Sequence, residues 1–289
     1  MTYRGRFAPS PTGALHFGSL VAAVASWVRA RAQAGTWIVR MEDLDPPREV
    51  PGAAADILAS LAAFGMESDE PVLYQNTCKD AYRAAFEKLH ESGEVFPCWC
   101  SRANLEDSSC IHRGACVVVA DTAREPAWRL RAPDAVVEFA DASFGWQTQN
   151  LRETAGDFVI RRADGGYSYQ LAVVVDDAAQ GINEVVRGAD LLDSTARQIH
   201  LQRLLGLMTP RYLHLPLALD ADGRKLSKQD RARTVERDDP LPALRATLAF
   251  LGQRVAQAST PAKLLARAAA DFDLAALRAA ARSATCTIR

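Results

Sequence analysis

The sequence predicts an α/β protein with a Rossmann-like, doubly wound parallel sheet. Short apolar segments typical of buried strands alternate along much of the chain with longer segments of helical periodicity. The first strand is joined to the first helix by a turn rich in proline and glycine. The chain has 289 residues, of which 48% are hydrophobic and 24% charged, which suits a globular protein with one large core or two smaller ones.

The opening strand–turn–helix–strand unit is the clearest part of this pattern, because Leu20, Val24 and Trp27 recur at helical spacing and Gly35 follows as a helix end. In chain order the predicted elements are a strand at 3–8, a helix at 18–34, a strand at 37–41, helices at 52–65 and 79–93, strands at 158–160, 171–175 and 184–188, a helix at 190–205 and a strand at 212–219. The sequence from residue 241 onward is rich in alanine and leucine and predicts short helices.

The alternation is interrupted between residues 97 and 155, where Cys98, Cys100, Cys110 and Cys116 lie close together. We therefore expect an insertion within the α/β domain. The expected organisation is a first half of the Rossmann-like domain at 1–96, a zinc-containing insertion at 97–155, the second half at 156–237 and a short helical C-terminal region at 238–289.

The charge balance narrows the function classes. Lys and Arg total 34 against 35 Asp and Glu, giving a net charge of −1, which argues against a protein that wraps nucleic acid mainly through charge. A local basic groove remains compatible with this total. The N-terminal sequence is not an apolar signal segment and no later run is long enough to span a bilayer, so we expect a cytoplasmic protein, and a monomer.

The first strand-to-helix turn is a candidate ligand site. In doubly wound sheets ligands bind outside the carboxyl ends of the strands, and the free N–H groups at a helix start attract phosphate. His16 in this turn can donate a hydrogen bond to a phosphate, and Gly18 lets a ligand lie against the backbone. The simpler alternative is a capped turn with an incidental histidine.

A second candidate follows the last predicted strand, where Lys225 and Lys228 lie in a Lys-Leu-Ser-Lys-Gln segment. Two lysines on a mobile loop can close on a triphosphate and stabilise charge that develops in a transition state. Taken alone, such lysines are more often simply solvated. The presence of the first turn in the same chain strengthens the functional interpretation of this segment.

Together these segments resemble the two signatures of the class I aminoacyl-tRNA synthetase family. Residues 16–19, His-Phe-Gly-Ser, resemble the HIGH element, and residues 225–229 resemble the KMSKS loop. Residues 6–13, Arg-Phe-Ala-Pro-Ser-Pro-Thr-Gly, resemble the glutamyl and glutaminyl branch, and the Asp-Pro-Pro-Arg-Glu turn at 45–49 is similar to that of truncated members of it. The resemblance runs from Arg6 to about Arg237.

The resemblance implies a pocket in which glutamate is activated by ATP with Mg²⁺. It implies glutamate binding by Arg6, Phe7, Ala8, Pro9, Ser10, Glu42, Tyr169 and Arg187, ATP binding by His16, Gly18 and Lys228, and catalysis by His16, Lys225 and Lys228. A substrate with two carboxylates and one ammonium needs a guanidinium and an acid, which these residues supply. Taken singly, Arg187 could instead be a surface arginine at a strand end and Glu42 part of a charged turn.

The cysteine-rich segment predicts a structural zinc site. Cys98 and Cys100 form one pair, and His112 and Cys116 form another after a loop of eleven residues, which suits a tetrahedral ion. The family resemblance also implies zinc here. Cys110 is the alternative fourth ligand, and the competing interpretation is a set of reduced, buried cysteines.

The acceptor of the glutamyl group is implied by the resemblance alone. About sixty residues follow the KMSKS-like segment, which we expect to be too few for an anticodon-binding domain of usual size. The truncated relatives imply transfer to queuosine at the wobble position of tRNA(Asp), through its anticodon loop. Two alternatives stay open: transfer to a conventional tRNA 3′ end, and a catalytically silent binding paralogue. Asp176 and Asp177 could position ATP, magnesium or RNA, or cap a segment.

Overall fold

The structure, a computed structural model, describes residues 2–101, 103–108, 111–217 and 235–285. The helices are α1 (Phe17–Ala32), α2 (Ala53–Ala63), α3 (Lys79–Glu91), α4 (Leu151–Thr154), α5 (Tyr169–Ala179), α6 (Thr195–Leu205), α7 (Pro240–Phe250), α8 (Pro261–Ala270) and α9 (Leu274–Thr285). The strands are β1 (Arg4–Phe7), β2 (Thr36–Met41), β3 (Leu73–Tyr74), β4 (Val95–Cys98), β5 (Ala127–Leu130), β6 (Val136–Asp141), β7 (Gly145–Asn150), β8 (Phe158–Arg161), β9 (Glu184–Gly188) and β10 (Arg211–Leu215). Short 3₁₀ turns occupy Pro46–Arg48, Gln75–Cys78, Ala103–Ser108 and Ala189–Ser194.

Parallel strands form the centre of the molecule, as the sequence predicts. Strands β1, β2 and β3 pair in parallel, and so do β9 and β10. The two groups meet where β1 lies beside β9, and the backbone N–H of Asn183 donates to the carbonyl of Arg4 at 3.0 Å. The carboxyl ends of β1, β2 and β9 therefore open onto the same edge, where ligands bind in such folds.

The first β-α-β unit has the predicted form because its sequence satisfies both ends of α1. His16 caps the N-terminus by accepting from the backbone N–H of Ser19. Leu20, Val24 and Val28 lie on the buried face. After the helix, Gly35 passes so close to Tyr3 that a Cβ would lie 2.5 Å from the Tyr3 carbonyl oxygen, so a side chain is excluded there.

One predicted element is wrong. Residues 171–175 were expected to form a strand, but they lie within helix α5. Leu171, Ala172, Val173 and Val174 are all buried, so this helix shows a continuous apolar run rather than a polar face. A short apolar run of this kind cannot be assigned to strand or helix by periodicity. The strand predicted at 212–219 is observed as β10, which ends at Leu215, and residues 218 and 219 lie outside the described part of the chain.

The segment predicted as an insertion contributes to two sheets. Strand β5 pairs with β4 and β8 in an antiparallel sheet, whereas β6 pairs with β7 in a hairpin and with β10 in parallel. Helix α9 supports this hairpin, because Arg278 and Arg282 donate to the carbonyl oxygens of Ala142 and Ser143 in its turn. Helices α7 and α8 pack on α1. The helical C-terminal region predicted by the sequence is confirmed.

Across residues 2–101, 103–108, 111–217 and 235–285, no helix combines the length and the apolar character needed to cross a membrane.

The packing of α8 on α1 generates a stability prediction. Leu265 in α8 is fully buried, so Leu265→Ala should lower the free energy of unfolding by about 2–5 kcal/mol through lost burial and a residual cavity. Lys263→Ala, at an exposed position of the same helix, should change it by less than about 0.5 kcal/mol. Urea unfolding followed by circular dichroism measures both, and equal effects would contradict the packing of α8 against the main core.

Candidate active site and metal centre

A cavity of about 650 Å³ opens at the carboxyl ends of β1, β2 and β9. Arg6 lies on β1, Glu42 directly follows β2, Arg187 lies on β9 and Tyr169 begins α5. The cavity wall contains every predicted glutamate- or ATP-binding residue within the described part of the chain, namely Arg6, Phe7, Ala8, Pro9, Ser10, His16, Gly18, Glu42, Tyr169 and Arg187. Residues that are distant in sequence are thus brought to one site by the sheet.

The start of α1 faces this cavity. His16 has an extended backbone at the N-cap, its Nδ1 accepts from the N–H of Ser19 at 3.3 Å, and its Nε2 lies 3.0 Å from the Ser19 hydroxyl. A Cβ at Gly18 would lie 3.3 Å from the His16 ring, so glycine allows the ring to fold over the helix start. The helix dipole and the free N–H groups make this end suitable for an anion.

Arg6 is held by a buried carboxylate. Its Nε and Nη2 donate to the two carboxylate oxygens of Asp177 at 3.0 and 3.3 Å, and Arg40 Nη1 donates to the same carboxylate at 2.8 Å. Burial alone would raise the pKa of Asp177, but the positive charges of Arg6 and Arg40 outweigh it and hold that pKa below its usual range. Asp177 therefore stays ionised between two guanidinium groups.

Asp176 has a different set of partners. The Tyr82 hydroxyl donates to it at 2.8 Å and Gln75 Nε2 donates at 2.7 Å, while Arg40 Nε lies 3.8 Å away. Burial raises the pKa of Asp176, although Arg40 opposes the shift. The two acids whose role the sequence left open thus lie on α5 behind the cavity, where they hold buried cationic and polar groups. Gln75, which lines the cavity, was not anticipated.

Arg40 was also missed by the sequence interpretation. Its side chain is completely buried, and it contacts Asp177 of α5. Burial alone would lower the pKa of Arg40, but the negative charges of Asp177, Glu42 and Asp176 outweigh burial and raise that pKa. The sequence does contain an indication of this role. Arg40 lies within the apolar run 37–41, and an arginine there can be buried only with acidic partners.

Glu42 is a largely buried acid that lines the cavity. Only 11% of its side chain is exposed, and Arg40 Nη2 lies 3.5 Å from its Oε1. Burial raises the pKa of Glu42 despite the opposing charges of Arg40 and Arg6. Its backbone N–H donates to the carbonyl of Pro9 at 2.9 Å, which ties the end of β2 to the turn after β1. Glu42 therefore faces the cavity as an acid that a cationic ligand would stabilise.

Arg187 is buried, not a surface arginine at a strand end. Its Nη1 donates to Gln198 Oε1 at 2.7 Å and lies 3.5 Å from the Tyr169 hydroxyl, and its Nη2 donates to Thr195 Oγ1 at 2.9 Å. Its Nε lies 3.1 Å from His214 Nε2. Burial raises the pKa of Tyr169, so its hydroxyl remains a hydrogen-bond donor. The pair can offer an N–H and an O–H to one carboxylate.

The KMSKS-like segment, with Lys225 and Lys228, lies outside the described residues, as does Cys110. Pro216 and Leu217 precede that segment and line the cavity. The chain therefore enters the segment from the edge of the site.

Four predicted ligands form a compact cluster beside β4. The Sγ atoms of Cys98, Cys100 and Cys116 and a ring nitrogen of His112 all lie within 4.8 Å of one another, an arrangement that could hold a metal ion. The three cysteines are free thiols. Cys98, Cys100 and His112 are buried, and Cys116 is exposed. The sequence prediction that these residues converge is confirmed.

The orientation of His112 fits a metal ligand. Its Nδ1 lies 2.9 Å from Asp157 Oδ2, and its Nε2 is buried with no hydrogen-bond partner. A proton on Nδ1 shared with a carboxylate leaves the Nε2 lone pair for a cation, as in many histidine–metal sites. Asp157 also accepts from the backbone N–H groups of Gly114 and Ala132 at 2.8 Å each, so the carboxylate is itself held in place.

Comparison with known proteins shows the family to which this chain belongs. The family described as tRNA synthetases class I (E and Q), catalytic domain, matches residues 2–125 and 119–268. A Glutamyl-Q tRNA(Asp) synthetase of Burkholderia cenocepacia is 60% identical over 262 residues, covering 86% of this chain and 88% of that protein. One of Xanthomonas campestris is 57% identical over 264 residues, covering 91% of this chain and 87% of that protein.

Among solved structures, a glutamate tRNA ligase from Elizabethkingia meningosepticum, in complex with its amino acid, matches with a TM-score of 0.80 at 24% identity. The match covers 95% of this chain but 65% of that one, so the present chain spans about two thirds of that structure. This likeness supports the fold. The extent of the family match and the identity to the two bacterial relatives show that the chain belongs to the class I aminoacyl-tRNA synthetases, in their glutamate and glutamine branch.

Proposed function

We propose that this chain activates L-glutamate with ATP and transfers the glutamyl group to queuosine at the wobble position of tRNA(Asp). The observation that carries the proposal is the cavity in which Arg6, Arg187 and Glu42 converge beside the N-terminus of α1. The names of the relatives, Glutamyl-Q tRNA(Asp) synthetases at 60% and 57% identity, support the choice of acceptor.

Glutamate fits the charges of the cavity. Arg187 and the Tyr169 hydroxyl offer donors to one carboxylate, and the Nη1 of Arg6 is directed to neither oxygen of Asp177. Glu42 offers the negative charge for the ammonium group. Charge-assisted hydrogen bonds of this kind contribute about 1.5–3 kcal/mol each, so their number and placement select for a dicarboxylic amino acid.

In the first step the α-carboxylate of glutamate attacks the α-phosphorus of ATP in line. A bond forms between the carboxylate oxygen and phosphorus, the bond to the bridging oxygen breaks, and pyrophosphate leaves with its electron pair. His16 and the N-terminus of α1 stabilise the phosphate oxygens, and Lys228 and Lys225 act from the segment that follows Leu217. Mg²⁺ bound with ATP supplies further positive charge at these oxygens.

In the second step a hydroxyl of the acceptor attacks the carbonyl carbon of glutamyl-adenylate. The new ester bond forms, the bond from carbon to the phosphate oxygen breaks, and AMP leaves while the hydroxyl proton passes to solvent or to a phosphate oxygen. The described residues around the cavity leave one side open, so the acceptor nucleotide can approach the adenylate directly. On queuosine the hydroxyls lie on the cyclopentene ring.

We also propose that Cys98, Cys100, His112 and Cys116 bind one structural Zn²⁺ ion. Three thiolates and one imidazole are a donor set that zinc prefers in structural sites. Zinc would join the end of β4 to the segment that carries His112 and Cys116. Cys98 Sγ already accepts from Arg129 Nε at 3.2 Å, which holds this sulfur in place at the end of β4.

Glutamate-dependent exchange of label between pyrophosphate and ATP tests the first step. The wild-type chain should exchange with glutamate and without tRNA, because the pocket needs no residue from RNA. His16→Ala should lower kcat by roughly 10²–10³-fold through loss of a donor to the phosphate. His90→Ala, at an exposed position of α3, is the matched control and should retain the rate. Exchange with a different amino acid alone would overturn the specificity, and ATP binding without exchange would favour a silent binding paralogue.

The acceptor is tested with an isolated anticodon stem-loop. A stem-loop carrying queuosine should accept labelled glutamate, and the same stem-loop with guanine should not, because it has no cyclopentene hydroxyls. Its few phosphate contacts should also give binding a shallow dependence on salt. If label appears on a 3′-terminal adenosine of tRNA, and periodate treatment of that end abolishes it, the chain is a conventional glutamyl-tRNA synthetase.

Metal content tests the cluster. Protein purified without chelator should contain one zinc ion per chain by elemental analysis, and Cys98→Ser should lose it together with thermal stability, because binding energy is coupled to folding. Cys78→Ser, which changes a free cysteine outside the cluster, should keep the ion. If the wild-type protein contains no zinc, the cluster is a set of reduced cysteines and not a metal site.

A further inference from the structure

Arg187 is surrounded by more acceptors than a substrate contact requires. Its Nε and Nη2 hydrogens are directed to His214, Thr195 and the carbonyl of Leu191, the last at 3.2 Å, and one Nη1 hydrogen goes to Gln198. A guanidinium has five N–H donors, and the fifth, on Nη1, donates to the Tyr169 hydroxyl at 3.5 Å. This is the longest of the five contacts, so it is the one that a ligand carboxylate beside Tyr169 can take over. The protein acceptors thus fix which edge of the guanidinium meets the cavity.

The chemistry of Arg187 determines the tautomer of His214. Because Nε of arginine can only donate, His214 Nε2 must accept and must carry the lone pair. The proton of a neutral imidazole then lies on Nδ1, which is 2.6 Å from Asp141 Oδ2. The side chains of His214 and Asp141 have no exposed surface. Arg187, His214 and Asp141 are therefore joined in one directed series of hydrogen bonds.

Asp141 is anchored by the backbone around it. Its Oδ1 accepts from the N–H groups of Ser143 and Phe144 at 2.9 Å each, in the β6–β7 turn, and its Oδ2 accepts from the N–H of His214 at 3.1 Å. Burial would raise the pKa of Asp141, but the hydrogen bond from His214 outweighs it and lowers that pKa. The carboxylate is ionised and cannot rotate without losing several bonds.

His214 is kept neutral by its surroundings. Burial lowers the pKa of His214, and the charge of Arg187 lowers it further, while Asp141 and the more distant Asp190 oppose this. The ring also stacks on Tyr212, with 6.1 Å between ring centroids and 12° between planes. A neutral acceptor suits this position, because a protonated His214 would place a second positive charge 3.1 Å from Arg187 and remove the lone pair.

We propose that Asp141 and His214 are positioning residues for amino-acid recognition: they hold Arg187 in the rotation that presents one N–H, beside the Tyr169 hydroxyl, to a substrate carboxylate. This inference rests on the proposed function of Arg187 in binding glutamate. The contact to the carboxylate persists in the substrate complex and in the transition state. Losing the positioning therefore raises the KM for glutamate and leaves kcat and the KM for ATP nearly unchanged.

Two amide variants separate the two ends of His214. In His214→Asn the shorter amide can reach Asp141 but not Arg187, whereas in His214→Gln the amide oxygen can take the place of Nε2 and accept from Arg187. By pyrophosphate exchange, His214→Asn should raise the KM for glutamate on the order of tenfold, as expected for one lost hydrogen bond to a charged group. His214→Gln should recover most of this loss.

Tyr212→Phe, on the same strand as His214, is the matched control. It removes a buried hydroxyl that accepts from Gln202 Nε2 of α6 and keeps the ring beside His214. It should leave the KM for glutamate unchanged. If the wild-type chain does not exchange with glutamate, the proposed function fails. If it does, and His214→Asn has the wild-type KM or His214→Gln is as impaired as His214→Asn, the positioning role is overturned.

The pH dependence provides a second measurement should His214→Asn not fold. In the wild type the KM for glutamate should rise as pH falls through the pKa of His214, which lies below the ordinary histidine value, because the protonated ring cannot accept from Arg187. In His214→Gln the part of this rise due to His214 should disappear, while any part due to Glu42 remains. Identical pH profiles for the two proteins would contradict the proposal.

Discussion

The shared carboxylate of Asp177 is the interaction on which the site depends. It lies between Arg6 of β1 and Arg40 of β2, and it comes from α5. Removing one partner from a buried ion pair costs about 3–5 kcal/mol, because the other charge is left without compensation. Two guanidinium groups would be left here. The parallel strands and the helix are therefore held in a fixed relation at the edge where the cavity opens.

The two buried arginines that line the cavity are supported in opposite ways. Arg6 is neutralised by a carboxylate, so it contributes shape and a hydrogen bond more than net charge. Arg187 is surrounded by neutral acceptors, namely a histidine, an amide, a hydroxyl and a carbonyl. Its positive charge is oriented but not cancelled, which leaves it available to a carboxylate from outside. This difference gives the cavity a direction: one end attracts an anion, and the end near Glu42 attracts a cation.

The sequence predicted the parallel fold, the first turn and the cluster of three cysteines and a histidine, because each depends on residues that are close together in the chain. His16 caps the helix that it precedes, and Cys98 lies two residues from Cys100. The predictions from sequence that were wrong or incomplete have a common physical cause, which is burial. The consecutive residues from Leu171 to Val174 are all buried, so their periodicity carries no information about strand or helix. That error also hid the role of Asp177, whose direction depends on its position in a helix.

The Asp141–His214 pair could not be found from sequence for a different reason: the two residues are 73 positions apart and meet only through strand pairing. Their support extends further still. Helix α9 reaches back across more than 130 positions, where Arg278 and Arg282 hold the turn that anchors Asp141. Helix α9 is thus part of the framework that supports Arg187, the residue proposed to bind the amino acid. A minimal version of this protein, shortened for engineering, would have to keep that helix through Arg282 to preserve the turn that anchors Asp141.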